Sequence, residues 1–143
     1  MARRENVLSG ALLGFGIAAF VDETVFHQLL HWHHFYDRST PAVGLVSDGI
    51  FHAAGFFATV ASLFLLASLR RRRAFGARTW WGGLLTAAGA FQLYDGTVQH
   101  KLLGLHEIRY GVDLTAYDWT WNIIAALLIV AGVTLLALRP RPA

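Results

Sequence analysis

Asp22-Glu-Thr-Val-Phe-His27 and Asp95-Gly-Thr-Val-Gln-His100 set a carboxylate and an imidazole at one spacing twice in the chain, each pair closing a long apolar run. Neutral imidazole nitrogen and carboxylate oxygen are donors that borderline transition metals accept, and a carboxylate on the far nitrogen of a ligating His fixes its tautomer and raises its basicity. Ionisable side chains inside a membrane are expensive and mark functional sites by default. The match continues beyond the pairs: His33 meets His106, Thr24 meets Thr97, and Gly10, Leu12 and Gly16 meet Gly83, Leu85 and Gly89. Asp48-Gly-Ile-Phe-His52 aligns in the same way with Asp118-Trp-Thr-Trp-Asn122.

Elements long enough to carry these groups follow from the composition. The 143 residues are 55% hydrophobic and 15% charged, too apolar for an ordinary soluble domain. Stretches over roughly 7–27, 48–69, 79–100 and 117–138 approach or reach the ~20 residues a helix needs to cross hydrocarbon. Arg3 and Arg4 before the first stretch would suit a signal peptide, but no small-residue cleavage site precedes Val21-Asp22-Glu23, and the stretch is the repeat partner of the third. It is expected to stay in the mature protein.

Arg3, Arg4, the run 70–73, Arg78, Arg139 and Arg141 fall on one side of these spans. Basic loops stay cytoplasmic, which places both termini inside and the site outside. The pI near 9.8 then reports topology, and no nucleic-acid partner is implied. The expected fold is all-α: an integral membrane four-helix bundle, one transmembrane domain over 1–143, built from two parallel two-helix repeats (about 7–69 and 79–138) related by an axis along the membrane normal. Two long connections, 28–47 and 101–116, are expected to cap its outer mouth.

Counting at about 1.5 Å per residue from the Arg anchors puts Asp22, His52, Asp95 and Asn122 near one depth, about 26 Å, and His27, Asp48, His100 and Asp118 near another, about 33 Å. Carboxylates and imidazoles alternate around both levels. Asp48 and His52 are i,i+4 and share a helix face, whereas Asp22/His27 and Asp95/His100 are i,i+5 and diverge by about 140° in a regular α-helix. A π-bulge near Thr24 and another near Thr97 would realign them. The expected metal ligands are Asp22, His27, Asp48, His52, Asp95, His100 and Asp118, with His33, His106 and Asn122 as additional candidates. Interhelical hydrogen bonding is the plainer role for such residues, but it requires neither four Asp nor two repeated layers.

His27, His31 and His34 lie on one helical face and resemble the His boxes of membrane di-iron desaturases and hydroxylases. Those enzymes need more boxes over a longer chain, and the second copy keeps only His106, opposite His33. His31 and His34 are therefore read as interfacial, not ligating. Trp80 and Trp81 read as an aromatic belt, as do Trp119 and Trp121, which can also wall the polar site. The absence of Cys excludes disulfides, Fe–S clusters, thiolate copper sites and c-type haem, and the single Met, the initiator, leaves no thioether for Cu(I). Zn²⁺, Fe, Mn²⁺ or Cu²⁺ suits the remaining donors, as one ion or two.

The motifs Asp48-Gly-x-x-His52, Asp95-Gly-x-x-x-His100-Lys and Tyr117-Asp118-Trp119 span nearly the whole chain. They resemble those of a family of small bacterial predicted membrane proteins catalogued only as a domain of unknown function, although Glu23 stands here where Gly often follows the first Asp. The resemblance implies the topology and the importance of the motifs, and no activity. Three functions compete. The first is a membrane metalloenzyme, oxidoreductase or hydrolase, acting on a membrane-borne or amphiphilic small substrate, with Asp48, Asp118 or Glu107 as proton acceptor. The second is metal handling or metalloenzyme assembly without catalysis. The third is a b-type haem protein with His27 and His100 as axial ligands, for which four nearby Asp residues are poor surroundings. A protein partner or a second copy of the chain remains open.

Overall fold

The computed structural model describes residues 1–138, all-helical apart from turns and connections. Helix α1 (Ala2–Val21) runs into a π-helical stretch, π1 (Asp22–Leu29); α2 covers Pro41–Arg71; α3 (Ala77–Tyr94) runs into π2 (Asp95–Leu102); α4 covers Thr115–Ala137. Arg139 and Arg141, counted above among the basic anchors, lie outside the described residues. Helix α2 starts well before position 48 because Thr40 caps it, its hydroxyl accepting from Val43 N at 3.4 Å, and Pro41 fills the first position, where no amide donor is needed.

Three helical segments are long and apolar enough to cross a membrane: Ala2–Leu29, Pro41–Arg71 and Thr115–Ala137. The segment formed by α3 and π2 is not among them. It lies between α1 and α4 and carries Gln92, Asp95, Gln99 and His100, so less of its surface has to be apolar for lipid.

The helices lie in the order α2, α1, α3, α4, with α1 and α3 as the central pair. Lipid tails are as apolar as leucine, so helices associate through close packing, which small residues permit. A Cβ on Gly10 would stand 2.0 Å from Trp80 O, and one on Gly14 would stand 2.1 Å from Leu84 O. The α1–α3 backbones therefore touch where only Gly fits. At the Arg-rich end Asn6, buried, donates from Nδ2 to Ala74 O at 2.9 Å and accepts Gly76 N at 2.8 Å, tying α1 to the α2–α3 turn.

At the opposite end the two π stretches carry α1 and α3 into the connections. Leu30 N bonds Val25 O at 2.9 Å and Leu103 N bonds Val98 O at 2.8 Å, both i to i−5. Thr24 and Thr97, where a realigning bulge was expected, lie within them. The connections clasp each other through Asp37 N to Leu105 O at 3.1 Å and through Arg38 Nε, which donates to Gly104 O. Exposed Phe56, Phe57, Phe64, Leu127 and Val130 give α2 and α4 apolar outer faces suited to lipid.

Candidate metal centre

The π1 stretch brings Asp22 and His27 onto one side despite their i,i+5 spacing, with Asp22 Oδ2 3.8 Å from His27 Nε2. In π2 the matching pair closes to 3.0 Å between Asp95 Oδ2 and His100 Nε2. His33 and His106 turn inward from the connections and stack at 4.6 Å between centroids, their planes 4° apart. His27 stands edge-on to His33 at 4.6 Å, and His100 edge-on to His106 at 4.7 Å. Each of these six residues is at most 6% exposed.

The protonation of two rings follows from their partners. His33 Nδ1 lies 2.9 Å from Ile108 O, and His106 Nδ1 lies 2.9 Å from Phe35 O. A carbonyl only accepts, so each Nδ1 carries a proton; the Nε2 atoms point to the interior, where His106 Nε2 lies 3.4 Å from Asp95 Oδ1. Burial first, then the neighbouring imidazoles of His106 and His27, push the His33 imidazole down from the ordinary 6.5 to about 2. It is neutral at physiological pH, the form a metal requires. His27 Nδ1 sits 3.1 Å from Asp48 Oδ1 and 2.8 Å from Glu23 Oε2, so its Nε2 also faces the cluster.

The Nε2 atoms of His27, His33, His100 and His106 are buried without a hydrogen-bond partner, as are Asp22 Oδ1, Glu23 Oε2 and Asp95 Oδ2. Carboxylates nevertheless lie within ion-pair reach: Asp95 Oδ2 is 3.0 Å from His100 Nε2, Asp95 Oδ1 is 3.4 Å from His106 Nε2, and Glu23 Oε2 is 2.8 Å from His27 Nδ1. Buried polar atoms are nearly always paired, and groups of such donors could hold a metal ion. Ligand atoms of His33, His100 and His106 fall within 4.8 Å of one another, as do those of Asp22, His27 and His33, and of Glu23, His27 and Asp48. Among the described residues four carboxylates are buried, Asp22, Glu23, Asp48 and Asp95, and no Lys or Arg is.

Around this core lies a supporting layer. Asp48 Oδ1 accepts from Phe35 N at 2.7 Å and lies 3.1 Å from His27 Nδ1, while its Oδ2 lies 2.6 Å from His34 Nδ1, so Asp48 ties α2 to both histidines. Gln99 Nε2 donates to Asp95 Oδ1 at 2.8 Å, and Gln28 Nε2 to Glu23 Oε1 at 2.8 Å. Phe35, Phe51 and Phe91 stack at 4.6 and 5.5 Å, an apolar wall beside His27 and His106.

Of the residues expected from sequence, Asp22, His27, His33, Asp95, His100 and His106 come together, with Asp48 behind His27. His52 does not join them. Helix α2 buries Asp48, Phe51 and Gly55, whereas His52 is exposed beside Phe20; at 100° per residue it points about 80° away from the middle of the buried stripe. Asp118 pairs with Lys101 and is partly open to solvent. Asn122 Nδ2 donates to Asp118 O at 2.9 Å, and its side chain lies against Gly96. Glu107 and His31 are exposed, and His34 is half-buried on Asp48.

Glu23 and Gln99 are the residues the repeat conceals. Gly96 stands opposite the first and Phe26 opposite the second, so neither appears in a pattern defined by agreement between copies. The available signal was a carboxylate adjacent to Asp22 in an apolar run.

Over residues 9–139 the chain matches a family described as "Predicted membrane protein (DUF2243)". No curated protein and no solved structure matches it.

Proposed function

The chain belongs to that DUF2243 family of predicted membrane proteins, and we propose that it is a metal-dependent membrane enzyme whose buried His/Asp cluster binds a transition metal. The observation that supports the reading is the set of four buried Nε2 atoms that make no hydrogen bond, with the Nδ1 atoms of His33 and His106 turned outward onto main-chain carbonyls. Asp22 and Asp95 complete the set. Its nitrogen and oxygen donors suit Zn²⁺, Fe, Mn²⁺ or Cu²⁺. Six candidate donors exceed the four of a structural zinc site and leave room for a second ion or an exchangeable position.

A bound metal supplies Lewis acidity or an activated water there. The chain's own groups hold and orient it. His27 is steered by Asp48, Asp95 by Gln99, and the unpaired Glu23 Oε2 can take a proton at the edge of the cluster. Asp48 borders the cluster through His27, whereas Asp118 pairs with Lys101 and Glu107 is exposed.

A second reading is metal handling without catalysis. It draws on a cavity of about 410 Å³ on the loop side, lined by His31, Trp32, His33, His34, Asp37 and Tyr110, which offers imidazoles and a carboxylate along an approach to His33. In both readings the protein sits in the bacterial inner membrane with the Arg-rich end cytoplasmic and the centre facing out. The paired π stretches, the reciprocal His33 and His106 contacts and the Gly contacts of α1 and α3 support two parallel repeats.

Elemental analysis of protein purified in detergent tests the centre. Stoichiometric Zn, Fe, Mn or Cu in the native protein, and its loss from His33→Ala and His106→Ala, is the expected result. A metal-free protein that none of these ions stabilises against heat overturns it. Metal that survives prolonged chelator treatment supports a resident catalytic ion, and rapid release supports handling.

A further inference from the structure

A second cavity, about 510 Å³, lies beside the centre between π1 and the start of α4. Its volume is in the range of small-molecule sites. Val21 and Ile124 on its edge are 42% and 52% exposed, and Leu127, one turn further along α4 from Ile124, is exposed as well. The cavity therefore opens sideways, toward lipid. Phe26, Trp32, Ile108 and Trp121 make its walls apolar, and Gln92 Oε1 is a buried acceptor on them without a partner.

The rim is cationic. Arg109 Nη1 donates to Tyr117 Oη at 2.6 Å, and its guanidinium lies 4.9 Å over the Trp32 ring and 5.7 Å from that of Tyr117. Trp32 and Tyr117 both line the cavity, so the guanidinium that packs on them stands beside its wall. No carboxylate is among these partners. A guanidinium fixed by aromatic faces and left without an anion is a ready receptor for one.

We propose that this cavity binds a single-chain anionic amphiphile taken from the membrane, with its chain against Phe26, Trp121 and Ile124 and its head on Arg109. The apolar walls penalise a charge in the interior, so the head stays beside Arg109. The inner wall is thin: Trp121 stands edge-on to Phe26 at 5.3 Å and 6.2 Å from the His100 ring. A bound chain thus lies one aromatic side chain away from the metal centre. The inference names a ligand class for that centre and rests on the metal reading for the fate of the molecule, but not for its binding.

Tryptophan fluorescence tests it, because Trp32 and Trp121 line the cavity. Stearate dibrominated at mid-chain is titrated into the detergent-solubilised full chain, with its methyl ester as the neutral control and a brominated lysophosphatidate to distinguish a phosphate head from a free carboxylate. Saturable quenching by either anionic probe, with the ester weaker by about tenfold or more, is expected. Arg109→Gln should erase the difference between acid and ester, and Ile124→Trp or Thr120→Phe, which fill the cavity, should remove the saturable phase. Metal content should be unchanged in Arg109→Gln, so failure here is distinguishable from failure of the centre. Quenching that rises linearly with probe in the micelle, or acid and ester binding alike in the native protein, overturns the proposal.

Discussion

A carbonyl oxygen only accepts, and that fact puts a proton on Nδ1 of His33 and of His106 and turns Nε2 of each inward. Their Nε2 atoms are available because the connections bond across the mouth, each ring anchored to the opposite loop. Metal content should accordingly fall strongly in His100→Ala and stay near native in His52→Ala, measured by elemental analysis of both variants. Loss of metal from His52→Ala would mean that α2 rotates in the membrane to bring that ring inward. Position 52 shows how residue spacing misleads: i,i+4 with Asp48 sets a shared face, but that face is wider than the buried stripe, and Phe51 and Gly55 hold its inward edge. Glu23 shows the converse, a buried carboxylate hidden because its repeat partner is Gly96.

The elements set how accurately the two halves of the centre meet. One half hangs from α1 through π1 and the other from α3 through π2, so the α1–α3 contact is its frame. A Cβ at Gly14 would meet the Leu84 backbone at 2.1 Å, which side-chain adjustment cannot relieve. Gly14→Ala should lower thermal stability by about 1–3 kcal/mol and weaken metal retention with it. Gly49→Ala, where a new Cβ meets nothing within 4 Å, should leave both near native, and equal losses in the two variants would remove α1–α3 contact as the cause. The π stretches were legible from the i,i+5 spacing of Asp22/His27 and Asp95/His100, because a regular helix would turn each pair apart by about 140°.

At the scale of the whole molecule, three segments suited to lipid surround a polar centre at one end, opposite the Arg-rich turn. With no native Cys, single substitutions report sidedness directly. Ser39→Cys should react with an impermeant maleimide in intact cells, and Ala77→Cys only after permeabilisation; the reverse pattern would invert the proposed orientation. The amino-acid sequence by itself determined the membrane class, the helical content and the Asp/His pairs, because composition, run length and period are local quantities that lipid selects directly. Only the tertiary structure decided which donors share a space. It turned His52 out to the surface, held Asp48 behind His27 and raised His33 and His106 from the loops into the core, because helix rotation and loop closure depend on contacts between segments far apart in the chain.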